Sequence, residues 1–203
     1  HAYIGQEANA VGVISNLNKS DIVVSNHRCH GHYITHKQNP YALLCEMMGK
    51  KDGLCAGRGG SQHICDEGFF SNGVLGGTMP LAAGLAFSEK FKKTDNIIVV
   101  FIGDGTLGEG VLYETLNIVS KWELPILIVV ENNRYAQSTK IEYTLAGKIP
   151  DRFNAFGIET EEIETFNVNE ISNVSVGLIK KVRKTKRPHC LIINTYRFAS
   201  HSK

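Results

Sequence analysis

Two polar residues at the ends of apolar runs carry the first chemistry. Asp104 stands between Gly103 and Gly105 in VVFIGDGTLGEG (99–110), and Asn133 follows 29 positions later in ENNRYAQST (131–139). In open parallel sheets, ligands bind beyond the carboxyl ends of the strands, where glycines let backbone amides approach phosphate oxygens. A carboxylate among such glycines repels a bare diphosphate, so Asp104 makes chemical sense with a divalent cation between the two. Magnesium asks for hard oxygens in an octahedral array. Asp104, the Asn133 side chain and a main-chain carbonyl such as that of Tyr135 can supply part of one. The plain alternative is a capping Asp and a turn Asn. A rival chemistry uses the same segment: Gly103, Gly105 and Gly108 satisfy G-x-G-x-x-G, and Glu131 ends the next strand, where a nicotinamide-binding fold holds its ribose.

A second cluster, HRCHGHY at 27–33, sets Arg28 among His27, His30 and His32. The planar fork of Arg28 suits a diphosphate. With Cys29, the three histidines also invite zinc, although their spacing matches no structural zinc pattern. The third segment is YRFASHS at 196–202, where Arg197 and His201 follow a strand-like run. Its blandest reading is a frayed end. His63, in GGSQH (59–63), reads either as a site residue or as a structural histidine.

Positioning these groups takes alternating strands and helices. IIVVFI (97–102), ILIVV (126–130) and CLIINTY (190–196) are continuous apolar runs of the kind buried on both faces of a parallel sheet. Between the first two, residues 107–122 put apolar side chains at 112, 116 and 119 on one stripe, which predicts the crossover helix. Residues 80–93 begin with Pro and end in lysines, as helix termini prefer. Further helices are predicted over 8–17, 40–49 and 169–187. The expected fold class is α/β: an open, mostly parallel sheet with helices on both faces, forming a single domain over 1–203. The glycine-rich stretch 53–60 reads as a loop.

Composition closes off other classes. The chain has 203 residues, 42% hydrophobic and 21% charged, a globular profile that excludes disorder and collagen-like structure. Its longest apolar runs, 97–102 and 125–130, fall far short of the ~20 residues of a membrane helix, so no membrane span is expected. A net charge of +2 gives no broad field for nucleic acid, and the basic stretch KKVRKTKR (180–187) reads as a solvated helix end. Five cysteines without a CxxC pair argue against a disulfide framework and for a reducing compartment: the cytoplasm, or a mitochondrial matrix or plastid in a eukaryote. The sequence begins HAYIGQEA and stops just after a strand-like run, so both ends are expected to be truncations.

GDG at 103–105 with NN at 132–133 resembles the thiamine-diphosphate motif. The likeness extends through GQEA (5–8), HRCHGHY, GRGGSQH (57–63), FFSNGVLGGTMPLAAGLA (69–86), LPILIVVENNRYAQST (124–139) and TYRFASHS (195–202). End to end, the chain resembles the alpha subunit of the 2-oxoacid dehydrogenase first components, which serve pyruvate, branched-chain and acetoin dehydrogenase complexes. That resemblance implies thiamine diphosphate and Mg2+ as cofactors, with Asp104, Asn133 and the Tyr135 carbonyl as metal ligands. It implies Gly103, Gly105 and Thr106 beside the diphosphate, Arg28 upon it, and Gly73 and Leu75 against the aminopyrimidine. His27 stands where such subunits usually have a tyrosine, which makes that phosphate contact pH-sensitive. Arg197 and His201 fall in a loop that orders over the cofactor, with His201 near the reacting carbonyl or the acceptor thiol, and FASHS replaces the usual YHGHS. His63 falls near the catalytic channel, and Ser202 at a position phosphorylated in mitochondrial relatives. The implied partners are a beta subunit, which supplies the glutamate for the aminopyrimidine in an assembly of two alpha and two beta chains, and a lipoyl-bearing acyltransferase. The competing expectations are a nicotinamide-dependent oxidoreductase and a degenerate, non-catalytic subunit.

Overall fold

A computed structural model of the chain describes residues 1–202. Helix α1 (Glu7–Ile14) leads to strand β1 (Ile22–Ser25), and α2 (His30–Lys37) and α3 (Pro40–Met47) precede the short strands β2 (Cys65–Asp66) and β3 (Phe69–Ser71). Next come α4 (Thr78–Phe91), β4 (Ile98–Gly103), a 3-10 turn (Asp104–Gly108), α5 (Gly110–Lys121) and β5 (Ile126–Asn132). A small hairpin of β6 (Tyr135–Ala136) and β7 (Thr139–Lys140) is followed by α6 (Ile149–Asn154), β8 (Glu159–Glu164), α7 (Val168–Thr185) and β9 (His189–Asn194).

Seven strands form one sheet in the order β2-β3-β1-β4-β5-β9-β8, parallel throughout except for the β2–β3 pair. The expected α/β architecture is therefore present. Strand alternation divides each apolar run between two cores. Val99, Phe101, Leu127, Val129, Leu191 and Ile193 pack with α1 and α7, while Ile98, Val100, Ile102, Ile128, Val130 and Ile192 pack with α4, α5 and α6. Burial on both faces is why these strands lack polar alternation.

Boundaries shift where local chemistry intervenes. The crossover helix starts at Gly110, later than expected, because Asp104–Gly108 takes a 3-10 turn. Helix α1 stops at Ile14, and β9 covers His189–Asn194 rather than 190–196. Pro80 is the third residue of α4, still within the first turn, where an amide has no helical partner to lose.

The basic stretch 180–187 is more than a solvated helix end. Arg183 makes a two-pronged bond to the fully buried carboxylate of Asp21, at 2.6 and 3.0 Å, and Lys186 pairs with Asp95 at 2.9 Å. Asp21 also accepts the amides of Asn18 at 2.8 Å and Ile97 at 2.9 Å, so one carboxylate ties the end of α7 to the starts of β1 and β4. Among the described residues, no helix is long and apolar enough to cross a membrane.

Candidate functional site

Beyond the carboxyl ends of β4 and β5 lies a cavity of ≈ 300 Å³. Its lining includes twelve residues singled out from the sequence: His27, Arg28, Gly73, Leu75, Gly103, Asp104, Gly105, Glu131, Asn133, Tyr135, Arg197 and His201. Thr106 lies just outside it, buried in the 3-10 turn, and exposed His63 is not in the lining, although its Cε1 would lie 3.4 Å from a Cβ on Gly73. Gln6, Asn26, Gln62 and Gln137 complete much of the polar wall.

Parallel register sets Gly103 opposite Glu131, which brings Asp104 and Asn133 to adjacent strand ends. The Asp104 carboxyl is buried, and its Oδ2 has no hydrogen-bond partner among the described residues. Burial pushes this group up to about 6, against the pull of the local amides and the more distant charges of Arg197 and Arg28. Asn133 is held by its neighbours. Its Nδ2 donates to Gln6 Oε1 at 3.1 Å, and its Oδ1 accepts the Tyr135 amide at 3.1 Å, which leaves a second lone pair on that oxygen. A Cβ on Gly105 would press on Ala136 at 3.2 Å, whereas one on Gly103 would meet nothing within 4 Å. The missing side chain at Gly103 is open cavity.

Two arginines converge on the same space. Arg28, buried, donates to the Ala2 carbonyl at 2.6 Å and to His201 Nδ1 at 2.9 Å, and its amide donates to Asn26 Oδ1 at 2.8 Å. Arg197 donates to the carbonyls of Ala199 at 3.0 Å and Gln137 at 2.9 Å, and reaches His201 Nδ1 at 3.4 Å. The segment 196–202 is therefore anchored rather than frayed. Neither guanidinium has a carboxylate ion pair among the described residues. Burial first, then the charge of Arg197, pulls Arg28 down to about 10. The site holds positive charge that it does not neutralise.

The histidines respond to that charge. The rings of His1, His27 and His201 lie 4.8 to 5.5 Å apart. Burial, followed by Arg28 and His201, drives His27 down to about 4, so it is neutral at neutral pH. His201 is lowered as well, by burial and then by Arg28 and Arg197.

The rival chemistries do not assemble. His30 engages the Ser61 carbonyl at 2.8 Å, and buried His32 bonds Ser25 Oγ at 2.8 Å and the Tyr3 hydroxyl at 3.0 Å, so the zinc cluster is dispersed. Among the described residues, no three His, Cys, Asp or Glu side chains are placed to share a metal. Glu131 is only half committed: its Oε1 accepts from the Tyr3 hydroxyl and from Asn9 Nδ2 at 3.1 Å, while its buried Oε2, 3.5 Å from His32, has no hydrogen-bond partner among the described residues. A dinucleotide fold needs its third glycine for close helix packing, yet a Cβ on Gly108 would meet nothing within 4 Å.

The chain matches the dehydrogenase E1 component family over residues 1–203. It belongs to that family. Among curated relatives of this E1 chain, the alpha subunit of acetoin:2,6-dichlorophenolindophenol oxidoreductase from Cupriavidus necator is 37% identical over 99% of the chain and 62% of the relative. The pyruvate dehydrogenase E1 component alpha subunit of Rickettsia prowazekii is 34% identical over 100% of the chain and 63% of the relative. The E1 chain thus spans about three fifths of the length of these relatives. The solved structure of a candidate thiamin diphosphate-dependent enzyme from Mycobacterium smegmatis shares the fold, with a TM-score of 0.65 and 18% identity over 97% of this chain and 34% of that one.

Proposed function

We propose that this E1 chain is the alpha half of a thiamine-diphosphate-dependent dehydrogenase that cleaves a 2-oxo acid or acetoin, works with a beta subunit as two alpha and two beta chains, and delivers its acyl group to a lipoyl-bearing acyltransferase. The names of its relatives support the alpha assignment. One observation carries the cofactor: the buried Asp104 oxygen without a partner, in a cavity where two guanidiniums also lack counter-ions. A divalent cation satisfies the first and a diphosphate the second, so the residues fit the Mg2+ complex of that cofactor.

In this reading Asp104, Asn133 Oδ1 and the Tyr135 carbonyl hold Mg2+. Arg28, Arg197 and His27, with the backbone at Gly103, Gly105 and Thr106, hold the diphosphate, and Gly73 and Leu75 flank the aminopyrimidine. Thiamine diphosphate supplies the electron sink for breaking the bond beside the substrate carbonyl. The chain itself binds, orients and donates hydrogen bonds. His201 accepts from Arg28 at Nδ1, so its Nε2 carries the proton of a neutral ring and can donate to a substrate oxygen. His63, exposed and beside Gly73, serves at the mouth of the channel.

The test uses the full-length subunit co-expressed with its beta partner. Calorimetry should show thiamine diphosphate binding that needs Mg2+ and is lost in chelator, together with carbon dioxide release from a 2-oxo acid or cleavage of acetoin. Binding of NAD in place of thiamine diphosphate would overturn the proposal. Cofactor binding without turnover on any such substrate would establish the degenerate subunit instead.

A further inference from the structure

The glycine-rich loop 53–60 has one fixed shape because a buried carboxylate holds it from beneath. Glu46, on α3, accepts the amides of Cys55 at 2.6 Å, Gly57 at 2.9 Å, Gly59 at 2.6 Å and Gly60 at 3.3 Å. Charge-assisted bonds of this kind are the strong ones. Gly57 takes φ +74°, and a side chain there would also strike the Gly49 backbone.

That shape delivers Cys55 to β2. Its Sγ accepts the Cys65 amide at 3.3 Å and lies 3.9 Å from the Cys65 carbonyl oxygen and 3.5 Å from that of His63. The sulfur is lodged against the stretch of backbone that carries the second thiol. Cys65 is exposed and Cys55 partly so, whereas Cys29 and Cys190 are buried. Disulfide formation requires two thiols brought together in a defined geometry with access for an oxidant. The residues between them include Gln62, which lines the cavity and touches His1 Nδ1 at 2.7 Å.

We propose that Cys55 and Cys65 are a reversible disulfide-forming pair, oxidised in the folded chain by a low-molecular-weight disulfide, and that the bridge locks the loop that carries Gln62 to the cavity. Exposed Cys65 attacks first, forming a mixed disulfide and expelling one small thiolate. The Cys55 thiolate then attacks the Cys65 sulfur and expels the second. Two protein thiols lose two electrons, the small disulfide gains them, and the two protein protons end on the released thiols. The device is independent of the cofactor chemistry.

The full-length subunit, with its beta partner, is equilibrated in mixtures of oxidised and reduced glutathione, alkylated, and digested with trypsin without reduction. Cleavage after Lys51, Arg58 and Lys90 places the two cysteines in separate peptides, 52–58 and 59–90, with one cysteine each. Under oxidising mixtures these peptides should appear joined, two hydrogens lighter than their sum, and dithiothreitol should part them. In Cys55→Ser the glutathione adduct should accumulate on Cys65, because nothing resolves it. Amide exchange over 56–64 should slow at least several-fold in the bridged protein. The proposal fails if both thiols of the wild-type chain remain alkylatable in fully oxidised glutathione, if the wild-type adduct persists unresolved, or if Cys55 is found joined to Cys45. Unchanged amide exchange in a bridged protein would overturn the locking of the loop.

Discussion

Arg28 donates from Nη2 to Nδ1 of His201 across 2.9 Å and 173 positions of sequence. A guanidinium has no acceptor, so the ring nitrogen facing it is bare and the imidazole is neutral. His201 therefore orients the buried arginine as well as presenting a donor to the cavity. Affinity and turnover are coupled at this residue.

His201→Ala should weaken thiamine diphosphate binding about 10-fold, the size of one lost bond to a charged group, and lower lipoamide acylation by roughly 10²-fold. His201→Asn restores an acceptor near the Nδ1 position and should recover affinity without recovering turnover. Calorimetry and acylation assays on the assembled enzyme separate the two. Equal loss of affinity in both variants would remove the orienting role.

Asp104→Asn should abolish the Mg2+ dependence of cofactor binding, since the amide lacks the charge that a divalent ion needs. The ligand-free protein should become more stable, by ~1–3 kcal/mol, because an unpartnered buried carboxylate is removed. Denaturant melts without ligand check the second half. A destabilised Asp104→Asn would mean that its oxygen is satisfied in the apo fold.

Acid should act on His27. The fold holds its ring down at about 4, chiefly by burial, whereas an unfolded histidine titrates near ~6.5. Stability tied to the neutral ring is complete above the unfolded value and is lost as pH falls towards about 4. The thermal midpoint of the ligand-free protein should thus drop more steeply between about pH 7 and about pH 4.5 in the wild type than in His27→Tyr. Parallel curves would contradict this.

Two basic residues near the C-terminal end of α7 offer a contrast. Arg183→Ala strands the buried Asp21 carboxylate and should cost about 3 kcal/mol in denaturant unfolding. Lys181→Ala removes a 2.7 Å pair with Glu159 in which both partners are exposed, and should leave stability unchanged within error. Similar losses in the two variants would mean that Asp21 finds another partner.

What could be read in advance follows a physical line. β4, β5 and β9 were legible because burial on both faces writes itself as unbroken apolar runs. β8 reads ETEEIE with only one apolar residue, and α2 reads HGHYITHK without a clear apolar stripe, so both were missed. Asp104, Asn133 and Arg28 stood out because their charge or spacing is costly without a ligand. Gln6 and Gln62 did not, since a glutamine gains its role from tertiary placement alone; the only hint was their presence in the GQEA and GRGGSQH motifs.

The glutamate-rich strand β8 also decides how this molecule can meet others. It is the outer strand of the sheet, and Glu159, Glu161, Glu162 and Glu164 are all exposed along it. An incoming strand would have to lay its backbone beside four carboxylates to reach the unpaired amides and carbonyls. The opposite border is a two-residue antiparallel strand, too short to template a neighbour. Neither border invites amyloid-like growth, and stable association is left to the helical faces and to the loops around the cavity.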